Sequence, residues 1–105
     1  MVLVDGGLAA GVEALAERHG RLRAGALTEE RFDPVLESAA YFTIAETVRR
    51  TDGPVDIDVT RDGSSLRLEV RGPRIDLTEI EDRVAALDGH LRIAPDGFRV
   101  ELPCA

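Results

Sequence analysis

Three helices laid on one face of a mixed, mostly antiparallel sheet, a two-layer α+β sandwich, is the architecture the sequence predicts. Hydrophobic residues recur at helical spacing in three segments and alternate with period two in the segments between, and each change of period falls at a glycine, proline or aspartate turn signal. No internal repeat, low-complexity tract or linker interrupts this order, and 105 residues suit one domain with a single core.

Leu8, Val12, Leu15 and His19 share one helical face and predict a first helix over about Gly7–Arg18, stopped by His19-Gly20. The stretch RLRAGAL then reads as a short edge strand. Asp33-Pro34 marks a second helix start: the aspartate can accept from free first-turn amides, and proline lacks only a donor that would be idle there. That helix is expected from Pro34 to about Arg50, with Val35, Ala39, Phe42, Ala45 and Val48 as its buried stripe and Glu37 and Arg49 off it.

Asp52-Gly53-Pro54 ends it, and Val55, Ile57 and Val59 alternate against Asp56, Asp58 and Thr60 as a half-buried strand. A turn at Arg61-Asp62-Gly63-Ser64 leads to Leu66, Leu68 and Val70, completing a hairpin with one apolar face. Asp76, with Glu79 three residues on, predicts a capping-box-like start for a third helix. Its core stripe is Ile80, Val84 and Leu87, and Asp88-Gly89 stops it. Leu91 and Ile93, then Phe98, Val100 and Leu102, form a last hairpin around Pro95-Asp96-Gly97.

Charge and composition narrow the function. Thirteen basic against 20 acidic residues give a net charge of −7, which repels a phosphate backbone and argues against nucleic-acid binding. No apolar run reaches the roughly 20 residues of a membrane span, and the chain's start, MVLVDGGLAAGVEALAER, lacks the basic region of a signal peptide. The single cysteine, Cys104, excludes an internal disulfide and a thiolate cluster; a cytoplasmic location is expected. Arg49, Arg50, Arg61, Arg71 and Arg74 are unevenly spread and could meet an acidic partner or a phosphate, with solvated surface arginine as the favoured reading.

ESAAYFTIAETV, LRLEV, EDRVAALDGHLRI and FRVELP, in this order, resemble the ATP-binding catalytic domain of bacterial sensor histidine kinases, in the GHKL or Bergerat-fold superfamily. The resemblance covers about residues 7–103. AAYFTIAE looks like the start of the family's N-box helix, and DRVAALDGHLRI like the segment after its ATP lid.

The resemblance implies a nucleotide site, and most of its groups are replaced. Glu46 matches the N-box glutamate, but the asparagine that would carry magnesium through its side-chain oxygen falls on Arg50, a cation with no acceptor. Val70 and Arg71 match the start of the next box, whereas Gly72 or Pro73 stands at the adenine-binding aspartate. The glycine-rich phosphate cradle reads Asp76-Leu77-Thr78-Glu79-Ile80, which puts acids where polyphosphate would approach. The lid is cut to a few residues, and the usual glycine-threonine before the last strand reads Gly97-Phe98.

Glu46 is therefore expected to pair with Arg49 or Arg50, and His19 and His90 to serve at a helix end and a strand start. No phosphoacceptor helix is present in the segment, so it is expected not to autophosphorylate alone. The leading expectation is a degenerate histidine-kinase-like ATPase domain without cofactor or metal. Its partner would be a histidine kinase, a response regulator or another signalling protein, with a homodimer only if an apolar patch is exposed. Two alternatives stand beside it: an ATP-binding domain whose Arg50, Arg71 and Arg74 grip phosphates without magnesium, and an anti-sigma-like regulator.

Overall fold

The computed structural model describes residues 7–104; the part of the signal-peptide expectation that falls on residues 1–6 lies outside them. The elements run α1 (Gly7–Arg18), β1 (Leu22–Leu27), α2 (Pro34–Arg50), β2 (Val55–Asp62), β3 (Ser65–Arg71), α3 (Thr78–Ala86), β4 (His90–Ala94) and β5 (Gly97–Pro103). The strands form one sheet in the order β1-β2-β3-β5-β4. Only β1 and β2 are parallel, a pairing that needs a crossover, which α2 supplies; the other pairs are antiparallel. This is the expected α+β sandwich.

Period two builds the core directly. In register, Ile57, Val70 and Phe98 form one row across three strands, and Val59, Leu68 and Val100 the next, with Leu66 beside Leu102. All eight are buried against the helices. The opposite sheet face carries the alternate residues, Asp56, Asp58, Arg67, Glu69, Arg71, Arg99 and Glu101, so one face is oil and the other a charge lattice.

The helix starts differ in how far they follow the sequence. Asp33 caps α2 as expected, its Oδ1 accepting from Val35 N at 3.0 Å. Asp76 Oδ1 accepts from Thr78 N at 2.9 Å and Thr78 Oγ1 at 2.7 Å, but Glu79 turns away and no capping box closes. At the far end of α3 the positive φ of 59° falls on Asp88. Gly89 serves a different need, because a Cβ there would lie 2.6 Å from the Glu101 carbonyl oxygen.

The expected stripe of α2 is corrected by the structure. Val35 is 57% exposed and Phe42 and Ala45 are half-buried, while Ala40, Thr43, Ile44, Glu46 and Thr47 join Ala39 and Val48 inside. The cause is position: α2 lies between α1 and α3 over the sheet, so its covered arc is wider than one amphipathic stripe. Its buried threonines are satisfied within the helix, Thr43 Oγ1 donating to Ala39 O and Thr47 Oγ1 to Thr43 O. Arg21, after α1, closes the other end by donating to the carbonyls of Val48 and Thr51.

Candidate functional site

The last turns of α2, the connection 72–77 and the first turn of α3 meet at one end of the helix layer. Glu46 is buried there on α2, 7% exposed. Its carboxylate accepts from Arg49 Nε at 2.9 Å and an Arg49 terminal nitrogen at 2.7 Å, and from Arg50 Nε at 2.9 Å. Helical spacing sets this up, since residues three and four apart share a face. Arg50 then reaches Glu79 on α3 at 3.3 Å, tying the two helices.

These bonds decide what Glu46 can do. The Arg49 hydrogen bond, reinforced by Arg50 and by both positive charges, outweighs the burial penalty and holds the carboxyl at about 2, down from an ordinary 4.5. A base so acidic accepts protons poorly at neutral pH, and three of its roughly four lone-pair sites are already taken. Glu46 is an ion anchored by both arginines.

The connection 72–77 closes the neighbouring space with the protein's own atoms. Gly72 N donates to Asp96 O at 2.9 Å. Pro73 lies over Gly53 so closely that a Cβ on Gly53 would stand 2.8 Å from Pro73 Cγ. Ile75 and Leu77 pack against the hydrophobic core. Between the connection and the β4–β5 hairpin lies a hollow of about 80 Å³ lined by Pro73, Arg74, Ile75, Leu77, Ile93 and Phe98 among others.

The three candidate arginines do not converge. Arg50 stays on the helix side with Glu46 and Glu79. Arg71 projects from the opposite face of the sheet and pairs with Asp58 at 2.8 Å and more loosely with Glu69 at 3.8 Å. Asp58 also accepts from Ala26 N at 2.7 Å, and this bond, with Arg71, holds its carboxyl pKa below the ordinary value. Arg74 is exposed on the connection and has no partner among the described residues.

The remaining polar groups here are engaged with one another. Among the described residues no three His, Cys, Asp or Glu side chains gather where they could hold a metal ion. Arg50 offers no acceptor, Asp76 is engaged by Thr78, and the Glu79 side chain meets Arg50.

One polar site escaped sequence reasoning. Glu37, placed off the buried stripe, is 1% exposed and accepts from Arg31 at 3.0 and 3.3 Å and from Phe32 N at 3.0 Å. Burial pushes its pKa up, but these bonds and the Arg31 charge together bring it below the ordinary value. It pins the 28–33 connection to α2. His19 is half-buried after α1 and His90 exposed at the start of β4. Cys104 is free and half-buried, and its N donates to Ser64 O at 2.7 Å.

A helix layer crossing over a five-stranded mixed sheet in this order defines an α+β sandwich of the kind found in histidine kinases. Two histidine kinases are among the solved structures that share it. The Acinetobacter baumannii histidine kinase AdeS superposes with a TM-score of 0.64 at 17% identity, over 93% of this chain and 65% of that one. The Erythrobacter litoralis EL346 blue-light activated histidine kinase gives 0.60 at 13% identity, over 93% of this chain and 45% of that one. The chain thus spans less than two thirds of either structure. No protein-family model and no curated protein sequence matches it. Among the described residues no helix is long and apolar enough to cross a membrane.

Proposed function

We propose that the chain is a histidine-kinase-like domain of a signalling protein that has lost its nucleotide site and acts as a protein-interaction module. The observation that carries this reading is the engagement of Glu46 by Arg49 and Arg50, with Arg50 itself standing where the resemblance asks for a metal-carrying asparagine. The filled connection beside it supports the same conclusion. Fold and function separate here, because function resides in the site and the site's groups are spent on one another. A histidine kinase, a response regulator or another signalling protein is the expected class of partner.

This reading is preferred to a magnesium-free phosphate grip by Arg50, Arg71 and Arg74, because Arg71 stands with Asp58 on the far side of the sheet. A thermal-shift titration with ATP and ADP, each with magnesium and with chelator, separates the two. Ligand that binds only the folded state stabilises it by about 2.7 kcal/mol at a hundred times its dissociation constant, so binding is hard to miss. The expected result is a flat midpoint up to millimolar nucleotide. A rise that persists in chelator would restore the arginine grip, and one that needs magnesium would restore an ordinary nucleotide site.

A further inference from the structure

The two edges of the sheet are treated unequally. At β1 the register slips between Ala24 and Leu27, and Arg23 is already paired with Asp56 at 2.8 Å. A bulged edge with its charge satisfied is a poor template for another strand. The other edge, β4, keeps regular register with β5 over all five residues and, among the described residues, has no neighbouring strand on its free side. Its outward backbone groups stand open to strand addition.

Charge at that edge is left unbalanced. Across the outer face opposite signs are matched: Asp58 with Arg71, Glu69 with Arg99 at 3.1 Å, Arg67 with Glu101 at 3.1 Å. The matching stops at β4, where Arg92 sits directly opposite Arg99 and has no hydrogen-bond or ion-pair partner among the described residues. Like charges facing each other across a ladder destabilise it. In the adjoining row stand Ala94 and Gly97, which are too small to fill the space beside Arg71. A cleft of about 370 Å³ results, with Arg71, Arg92 and Arg99 among its walls. On the helix side of the same strand Ile93 is 70% exposed.

We infer that the free edge of β4 takes up an extended acidic segment of a partner protein, one acidic side chain seated against Arg92 and Arg99 and its neighbour packed on Ile93. Successive residues of a strand face opposite sides, so an alternating acidic and apolar segment meets both features at once. Main-chain hydrogen bonds supply affinity in strand addition, and the side-chain sites supply specificity. A second copy of the chain is a poorer occupant, because antiparallel self-pairing centred on Arg92 sets arginine against arginine. The inference rests on reading the chain as an interaction module and names the surface through which it would interact.

The test is a nitrogen-15 NMR titration of the chain with a capped hexapeptide alternating glutamate and valine. Saturable shifts at Leu91, Ile93 and neighbouring β5 amides, with slower hydrogen exchange along β4, are expected. Arg92→Glu should weaken this peptide at least tenfold and transfer binding to the same peptide with arginine for glutamate. Ile93→Thr should weaken it a few-fold while keeping the preference for acid. Because Arg92 is exposed and unpartnered, its variant is expected to melt no lower than the parent. The inference is overturned by the absence of saturable shifts at millimolar peptide, by binding that Arg92→Glu leaves unchanged, or by concentration-dependent β4 shifts without peptide, which would mark a second copy. Shifts at Glu46 and the 72–77 connection on adding magnesium ATP to the same sample would instead overturn the proposed function, at a place the peptide does not touch.

Discussion

Two glutamates nine residues apart on α2 are both buried and both held by arginine, yet they do different work. Glu37 fixes a stretch that precedes its helix, bonding Arg31 and the Phe32 amide. Glu46 is held within its own helix by Arg49 and Arg50, and only the onward contact of Arg50 with Glu79 leaves α2. A buried carboxylate needs partners in either case; the origin of the partners decides whether its loss unpins a connection or merely frees side chains. Glu37 is thus tertiary glue, while Glu46 marks the position where the family resemblance asks for chemistry and the chain supplies a local ion cluster.

The sharpest way to break this contrast is to remove each carboxylate. Glu37→Ala should cost about 3 kcal/mol, since it orphans the Phe32 amide and releases the 28–33 connection. Denaturant unfolding measures it, and a loss no larger than for Glu46→Gln would erase the distinction. Glu46→Gln should cost about 1 kcal/mol, because both arginines can turn to water. In a signalling assay of any protein that carries this domain it should leave activity unchanged, and a loss of phosphotransfer would reinstate Glu46 as a functional group.

Acid sharpens the same comparison. The folded pKa values of Glu46, Glu37 and Asp58 lie below their ordinary ones. Each therefore contributes stability in full above its unfolded value, near pH 4 to 4.5, and loses it as pH falls through the folded value. For Glu46 that window closes only near pH 2. Melting midpoints should be level from about pH 7 to 5 and then decline, and the Glu37→Ala chain should decline less steeply. A smaller effect is expected at the 72–77 connection: Gly53→Ala should lower the midpoint by a few degrees through its clash with Pro73, with faster amide exchange confined to residues 72–77.

Much of the scaffold is legible in the residues. Alternation places Ile57, Val59, Leu68, Val70, Phe98 and Val100 on one sheet face, and the structure buries all six. Asp33-Pro34 gives the start of α2 for a reason local to four residues, and that reason holds. What cannot be read is whatever depends on a third body. Glu46 and Thr47 lie off the apolar stripe and yet are buried, because the width of the covered arc follows from neighbours on both sides of α2. Glu37 gives no periodic signal, since its partner Arg31 lies six residues back in a non-helical stretch. Strand alternation alone puts Arg71 on the face away from Glu46, a step the grouping of Arg50, Arg71 and Arg74 had omitted. The pairing of Glu46 with its two arginines, by contrast, follows from helical spacing and is found.

The claim at the centre of this account is that the Glu46 carboxylate is committed to Arg49 and Arg50 and is unavailable to a nucleotide. Carboxyl carbon-13 NMR of the folded chain, titrated with acid with and without millimolar magnesium ATP, tests it at that atom. The predicted midpoint is about 2, with a resonance indifferent to nucleotide. A midpoint at or above the ordinary glutamate value, or a resonance that moves saturably with magnesium ATP, would contradict it.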